Sequence, residues 1–376
     1  MVQNKARFQV GRSFILSRLA PVALTILSLV ITSGCTKKST APTVANGAIR
    51  ELRVFTWSDY LKDDVLKEFE KENNAKVILD FFSSNEEMLA KVQATIQSGS
   101  KGYDVIFPSD YMAGNMRKLG LIQPLDHAKL TFLQDFNPDF LKPAYDPVLS
   151  HAVPFAWGTT GLIINTNLIK DLDLSKGFAW KTLLEDPRLA KKITLMDDAK
   201  ECLHLALMIQ GKSWATATEA DIRSAFDYLK AHKKNVKLFT SEPKEIVKNG
   251  ECAICQGFSG DALRLMTEMP GLKYVIPNEG ATIWTDNLAI PKNASEVALA
   301  YAFMNKVLSR DAAKRFTEQT FFPSPNGEGM KLLDPKLKTN TAIFPDAATF
   351  AKLRYLTERP ELLQLIDRLW TELKSQ

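Results

Sequence analysis

The feature that most constrains the fold is a regular alternation of strand-like and helix-like segments, which begins at Glu51. The runs LRVFTW, AKVILDFF and YDVIFPSD predict strands, and the segment from Asp63 to Asn73, the run MLAKVQATIQSG and the shorter run YMAGNMRKLG predict helices. Ser84 with Glu87 predicts a capping box at the start of the second helix, and Gly99 predicts its end. Strand and helix in alternation are typical of right-handed βαβ units, so we expect a mainly parallel sheet with helices on its faces.

The same alternation returns after the segment 157–168 and predicts a second α/β unit. TGLIINT and KKITLMDD predict strands, ECLHLALMIQG predicts a helix, and WTDNLAIP predicts a further extended segment. Helices are expected over Ser295–Leu308, Asp311–Thr320 and Glu361–Lys374. A chain of 376 residues is long enough for two such domains of about 150 residues each.

The distribution of charge argues against nucleic acid as a partner. The net charge is +5, but Lys5, Arg7, Arg12 and Arg18 lie in the first 34 residues, where there is no acidic residue. The remaining chain has 44 basic and 43 acidic side chains. A nearly neutral body does not provide the basic face that nucleic-acid binding needs.

The first 34 residues have the pattern of an export signal, in which a basic segment precedes the mostly apolar run 19–31. The small residues before Cys35 resemble a lipobox, so we predict cleavage before Cys35 and attachment of lipid to it. Thr32 departs from the leucine usual at that position, which leaves cleavage as a plain secreted protein and an uncleaved anchor as alternatives. Residues 35–50 are small and polar, as expected of a tether.

Three further cysteines do not form a specific motif. Cys252 and Cys255 have the C-x-x-C spacing of redox dithiols and zinc sites, but there is no second pair, and the histidines are scattered. We interpret them as small core residues; a disulfide and a metal or redox site are the alternatives.

Aromatic and acidic side chains follow the predicted strands. Ligands of open α/β sheets bind beyond the carboxyl ends of strands, where the loops of two units face one another. The candidates are Trp57, Ser58, Asp59, Tyr60, Ser109, Asp110, Tyr111, Asp197, Asp198, Glu201, Phe258, Ser259, Asp261, Trp284 and Asp286. Each also has a structural interpretation, since the pair Asp198 and Glu201 has capping-box spacing and the aromatic residues suit a core or a loop rim.

The sequence lacks three common catalytic motifs, namely a nucleophile elbow, a phosphate loop and a zinc-protease motif. GFSG at 257–260 lacks the spacing of a nucleophile elbow, GKS at 211–213 lacks the first glycine of a phosphate loop, and there is no H-E-x-x-H. Rings and carboxylates together suit an organic cation, because an ammonium is attracted to a ring face and forms charge-assisted hydrogen bonds with a carboxylate. Two such ends would hold a diamine.

An ordered set of motifs carries a family resemblance. Over about residues 52–346, the chain resembles the spermidine/putrescine-binding proteins of bacterial polyamine ABC importers. The resemblance is carried by five segments in this order: VFTWSDY, YDVIFPSDYM, LMDDAKE, IWTDNLAIP and FFPSPN. The resemblance implies an α/β fold of two lobes, each with a mainly parallel sheet flanked by helices, joined by crossing hinge strands. It also implies a ligand cleft between the lobes, no cofactor, no metal and no catalysis, with the ligand delivered to an importer permease.

The resemblance also assigns roles to residues. The residues that would contact the polyamine from the first lobe are Trp57, Ser58, Tyr60, Ser109 and Tyr111. Those from the second lobe are Asp198, Glu201 and Asp261. Near the hinge, the polyamine would be held by Trp284 and Asp286. Phe258 and Phe322 stand where the family has tryptophan and tyrosine. They keep the apolar wall but give a weaker cation contact and no hydroxyl.

The predicted organisation is a signal peptide over 1–34, a tether over 35–50, a first lobe of 51–160 with 285–330, and a second lobe of 161–284 with 331–376. The predicted function is a monomeric, exported receptor, lipid-anchored in the periplasm, that binds putrescine or spermidine. A receptor for another cationic or zwitterionic amine, such as an amino acid derivative, is the first alternative. An exported enzyme that uses the C-x-x-C or the pair Asp198 and Glu201 is the second.

Overall fold

The computed structural model describes residues 49–170 and 172–375. The predicted signal peptide and the lipid-attachment residue Cys35 lie outside these residues, and so does most of the predicted tether. Within them, no helix combines the length and the apolar character needed to cross a membrane.

The strands of the described chain form one connected sheet. They are β1 (Arg50–Thr56), β2 (Ala75–Phe81), β3 (Val105–Ile106), β4 (Ala152–Asn165), β5 (Ile193–Met196), β6 (Val236–Thr240), β7 (Ile254–Phe258), β8 (Leu272–Val275), β9 (Ala281–Ala289) and β10 (Leu353–Arg354).

Helices separate most of these strands. They are α1 (Asp63–Asn73), α2 (Asn85–Ser98), α3 (Asp110–Lys118), α4 (Trp180–Glu185), α5 (Ala199–Ile209), α6 (Glu219–His232), α7 (Pro243–Lys248), α8 (Ser259–Glu268), α9 (Val297–Val307), α10 (Arg310–Thr320), α11 (Gly327–Met330), α12 (Pro335–Lys338), α13 (Ala347–Phe350) and α14 (Pro360–Ser375).

The sheet has the strand order β2-β1-β3-β9-β4-β7-β5-β6, with β10 beside β9 and β8 beside β4. The pairs within β2-β1-β3 are parallel, and so are those within β7-β5-β6. The pairs β3–β9, β9–β4 and β4–β7 are antiparallel. Two parallel groups of three strands are therefore joined by two central strands that run against each other, as the predicted crossing strands require.

Strand β4 is longer than the sequence predicts. It extends over Ala152–Asn165, whereas the run TGLIINT predicts only its second half. All 14 of its residues are buried, so its first half lacks the alternation of apolar and polar residues by which a half-exposed strand is recognised.

Buried apolar side chains form one large cluster at each end of the crossing strands. One cluster contains Phe55, Phe69, Ile106 and Phe303 together with the start of β4. The other contains Leu162 and Ile164 from the end of β4, together with residues of α4, α5, α6 and α14. The lobe boundaries given above stay a prediction, although each cluster falls almost wholly within one predicted lobe.

The predicted capping box of α2 is only half formed. Ser84 accepts a hydrogen bond from the backbone N–H of Glu87 at 3.2 Å. The Glu87 carboxylate accepts from the backbone N–H of Ser83 at 2.9 Å instead of returning to Ser84. The helix starts at Asn85, directly after the predicted cap Ser84 and three residues before the run MLAKVQATIQSG, and it ends before Gly99 as the sequence predicts.

Candidate ligand-binding site

Asp286 is a buried carboxylate on β9, where the ends of two parallel strands meet a crossing strand. It is 4% exposed. Its Oδ2 accepts a hydrogen bond of 2.5 Å from the Tyr60 hydroxyl, and its Oδ1 accepts one of 2.6 Å from the Ser109 hydroxyl. Burial raises the pKa of Asp286 to about 6, and hydrogen bonds from Ser109 and Tyr60, with the nearby Trp57 indole, limit the rise. Burial, with Asp286 beside it, also raises the pKa of Tyr60.

Asn85 positions the Ser109 side chain and was not predicted from the sequence. Its Nδ2 donates to the Ser109 hydroxyl at 3.1 Å, and its Oδ1 accepts from the Ser109 backbone N–H at 3.0 Å. It is the first residue of α2, where nothing in the sequence distinguishes it from an ordinary helix-start residue.

A row of aromatic rings lies beside Asp286. The Trp284 ring centroid is 5.0 Å from that of Phe322 and 5.6 Å from that of Phe258, both in edge-to-face orientation. Phe322 is in turn 6.4 Å from Tyr60. Because Trp284 and Asp286 are two residues apart on β9, both point to the same face of the sheet. The aromatic wall expected from Phe258 and Phe322 is thus formed around Trp284.

The Trp284 ring fits because the residue paired with it on β4 is Gly158. A Cβ at Gly158 would lie 2.5 Å from Cζ2 of Trp284. We expect Gly158→Ala to displace the indole and to lower the free energy of unfolding by about 1 to 3 kcal/mol, the cost of overpacking. Urea unfolding and near-ultraviolet circular dichroism check this.

The control for that substitution is Gly327→Ala, because a Cβ at Gly327 would make only ordinary contacts of 3.5 Å or more. Wild-type stability together with a wild-type aromatic spectrum for Gly158→Ala would show that the indole does not depend on this glycine.

Glu201 is a second buried carboxylate, 8% exposed, in the first turn of α5. It accepts hydrogen bonds from the Thr160 hydroxyl at 2.9 Å and the Thr282 hydroxyl at 2.8 Å. Burial raises its pKa to about 8, with a contribution from the charge of Asp198. Thr160 and Thr282 belong to the crossing strands β4 and β9 and were not predicted as site residues.

The two buried carboxylates lie on either side of Trp284. Thr282, which contacts Glu201, shares one face of β9 with Trp284 and Asp286, and the Cα atoms of 282 and 286 are about 13 Å apart at the usual strand rise. Over residues 49–170 and 172–375, no lysine, arginine or histidine forms an ion pair with Glu201 or Asp286. Both carboxylates are therefore held by hydroxyl groups and have no counter-ion among the described residues.

Asp261, by contrast, already has a cation. Its Oδ1 lies 3.4 Å from Nζ of Lys244. Burial raises the pKa of Asp261, and the charge of Lys244 opposes that rise. Nearby, Arg264 is 3.6 Å from Asp59. The structure thus places Asp261 close to Tyr60, because the charge of Asp261 helps to raise the pKa of Tyr60. Unlike Asp286 and Glu201, however, Asp261 is already paired with a lysine, Lys244.

Asp198 has the capping role that the sequence left as an alternative. Its Oδ1 accepts from the backbone N–H groups of Lys200 at 2.8 Å and Glu201 at 3.0 Å. The side chain is exposed, as is that of Ser58. Tyr111 is close enough to Asp198 for that charge to help raise its pKa, after the larger effect of burial, and its hydroxyl donates to Glu86 at 3.2 Å.

The three described cysteines are free and buried. Cys252 and Cys255 pack in a cluster with Ile163 and Val247, and the Thr194 hydroxyl contacts Sγ of Cys255 at 2.8 Å. The structure therefore has them as core residues. No group of three or more metal-binding side chains occurs in the described part of the chain.

The fold and this site define a class of protein that encloses a small solute between two α/β halves. The chain belongs to the bacterial extracellular solute-binding proteins, whose family model matches residues 64–345. This result confirms the predicted class and agrees with the absence of a catalytic motif.

The most informative similarities are to proteins named for polyamines. The chain is 33% identical over 340 residues to spermidine/putrescine-binding periplasmic protein 1 of Haemophilus influenzae, covering 90% of this chain and 92% of that one. It is similar in structure to a putative spermidine/putrescine ABC transporter from Listeria monocytogenes, with a TM-score of 0.78, 31% identity, and coverage of 86% of this chain and 99% of that one.

A third similarity is to the spermidine/putrescine ABC transporter substrate-binding protein PotD of Streptococcus pneumoniae. The TM-score is 0.77 and the identity 29%, with coverage of 87% of this chain and 99% of that one. Together these structures confirm the predicted fold class, a two-lobed periplasmic-binding-protein fold.

Proposed function

We propose that this chain is an extracytoplasmic receptor that captures a linear polyamine, putrescine or spermidine, between its lobes and delivers it to an ABC importer. The observation that carries the proposal is the pair of buried carboxylates Asp286 and Glu201, which lie on either side of Trp284 without a counter-ion from the described chain. A ligand with an ammonium at each end supplies both counter-ions at once.

The physical chemistry of the two buried carboxylates favours such a ligand. Burial disfavours the ionised form of each carboxylate, as the raised pKa values show. An ammonium that pairs with a carboxylate contributes about 1.5 to 3 kcal/mol through the charge-assisted hydrogen bond, and an aromatic face adds about 0.5 to 2 kcal/mol. The methylene chain between the two ends would lie against the rings of Trp284, Phe258 and Phe322, which pack together.

The names of the relatives and the clustering of the core support the same proposal. The relatives above are named for spermidine and putrescine, and two of them for ABC transporters. The two large apolar clusters support lobes of 51–160 with 285–330 and of 161–284 with 331–376. Lipid attachment at Cys35, action as a monomer and a role without catalysis belong to the proposal as well.

A zwitterionic amine is the second candidate, because an arginine lies near the site. Arg264 is close enough to Asp261 for its charge to lower the pKa of that carboxyl, against the larger effect of burial. A ligand carboxylate would have to compete with Asp59 for this guanidinium. Since Arg264 already has that partner and Glu201 and Asp286 have none, we favour the polyamine.

Isothermal titration calorimetry of the protein over residues 49–376 tests the proposal. We expect one-to-one binding of putrescine or spermidine with a dissociation constant of about 1 μM or lower, which corresponds to about 8 kcal/mol. A zwitterion of similar length, such as γ-aminobutyrate, serves as the control and is expected not to bind. An absence of heat and of any thermal shift with both polyamines would reject the proposal.

A further inference from the structure

Lys200 places an ammonium group of the chain itself against one of the predicted ligand-binding rings. It lies in the first turn of α5, between Asp198 and Glu201. Its Nζ is 3.8 Å from the centroid of the Tyr111 ring, which belongs to α3 on the other side of the crossing strands. This is the arrangement in which a ligand ammonium would meet an aromatic face.

The groups around this contact attract a cation. The Tyr111 hydroxyl donates to Glu86, and Tyr111 is within the electrostatic influence of Asp198. Asp110, the residue before Tyr111, is 6% exposed, and the charge of Lys200 is among those that act on it. Two acidic side chains, Glu86 and Asp198, thus act on the ring that Lys200 covers, and a third, Asp110, is under the influence of Lys200 itself.

The positions at Asp286 and Glu201 differ from the position at Tyr111. Neither of those buried carboxylates forms an ion pair with a side chain of the described residues, so neither has a cation of the described chain beside it. The Tyr111 face is already occupied by Lys200. The site consequently offers two cation positions to a ligand, and a third that the chain fills itself.

We propose that Lys200 is a specificity-determining residue, which takes the place of a third ligand ammonium at Tyr111 and so makes the cleft select a diamine over a triamine. The inference rests on the proposed polyamine binding. A triamine would have to displace the Lys200 side chain or bring a like charge beside it, and repulsion between like charges is stronger in a partly buried site than in water.

The experiment compares putrescine with spermidine by calorimetry for the wild type and for Lys200→Ala. We expect the wild type to bind putrescine more tightly, and Lys200→Ala to shift the ratio of the two dissociation constants toward spermidine by about tenfold, which is the scale of one cation–aromatic contact. Lys200→Arg keeps a cation over the ring and is expected to keep the wild-type ratio.

A matched control is available at Lys129, whose Nζ lies 5.2 Å from the Tyr301 ring centroid, away from the cleft. Lys129→Ala is expected to leave the ratio unchanged. Thermal unfolding of each variant establishes that it is folded. If Lys200→Ala does not fold, Lys200→Met, which keeps the apolar part of the side chain, replaces it in the comparison.

The outcomes separate this inference from the proposed function. If wild-type protein binds neither polyamine, the proposed function fails. If it binds them and Lys200→Ala leaves the ratio of the two dissociation constants as in the wild type, Lys200 is only a structural contact between α5 and α3, and the inference is wrong. A wild-type preference for spermidine would overturn it as well.

Discussion

Asp286→Asn is expected to weaken polyamine binding by about 30-fold to several thousand-fold, because removing one partner of a buried, hydrogen-bonded charge pair costs about 2 to 5 kcal/mol. The amide keeps the shape of the side chain but not its charge. In the variant, a ligand ammonium would be buried without a negative partner, beside Tyr60 and Ser109. In the wild type, the hydroxyl groups of these two residues donate to Asp286. Calorimetric titration with putrescine and spermidine measures the loss.

Asp104→Asn is the matched control for this variant. Asp104 is fully buried, but its carboxylate accepts from the backbone N–H groups of Arg53, Ser295 and Glu296 at 2.8 to 2.9 Å. Replacing this carboxylate by an amide is expected to lower the stability of the protein, while the folded variant keeps the wild-type affinity for polyamines. An Asp286→Asn variant that binds within a few-fold of the wild type would remove Asp286 from the site.

Glu201→Gln is expected to weaken binding and to abolish a proton release that accompanies it. The pKa of Glu201 in the empty site is raised to about 8, so at pH 7 the group is largely protonated. A ligand ammonium favours the ionised form and lowers this pKa, so binding at pH 7 releases about one proton. Wild-type affinity is therefore expected to rise with pH up to about 8.

The same raised pKa has the opposite effect on the stability of the empty protein. Between the usual pKa of 4.5 and the folded value of about 8, the folded state binds more protons than the unfolded state. The contribution of Glu201 to stability is thus complete below the lower value and is lost as the pH rises through the higher one. A polyamine reverses this loss by binding only the folded, ionised protein.

Calorimetry at pH 7 in two buffers of different ionisation enthalpy counts the protons released. Glu279→Gln is the control, because the Glu279 carboxylate accepts from the backbone N–H groups of Trp180 and Lys181 and has no contact with the site residues. Proton release that is the same in Glu201→Gln as in the wild type would show that another group titrates.

Much of the site follows from one rule applied to the sequence. Trp57, Tyr60 and Ser109 follow β1 and β3, and Phe258 ends β7, so the ends of parallel strands bring them to one region, where Asp286 of β9 meets them. The strands were recognisable as short apolar runs between helix-like segments, although β3 and β7 are almost wholly buried.

Other parts of the site depend on contacts across the chain that no local pattern reveals. Thr160 and Thr282 hold Glu201 because β4 and β9 pair in one particular register, which no pattern within either strand specifies. Asn85 and Lys200 meet Ser109 and Tyr111 only through packing between elements distant in sequence. Spacing alone left two roles open for Asp198, and the structure assigns it the helix cap.

The phenylalanines at 258 and 322 illustrate how substitution within a site preserves its form. Both pack edge-on against Trp284, so the aromatic wall persists without the indole and hydroxyl groups that the resemblance predicts at these positions. Under the proposed function, the polar contacts of the ligand then fall to Asp286, Glu201 and their hydroxyl donors. This concentrates the expected binding energy on the two ends of the ligand.

A crystal structure of the protein with putrescine is the most direct test of the central claim that two buried carboxylates hold the ends of a diammonium ligand. We expect one nitrogen of putrescine within hydrogen-bond distance of the Asp286 carboxylate, the other within that distance of Glu201, and the methylene chain against Trp284. Putrescine bound elsewhere, with both carboxylates still paired only with the hydroxyl groups of Tyr60, Ser109, Thr160 and Thr282, would contradict it.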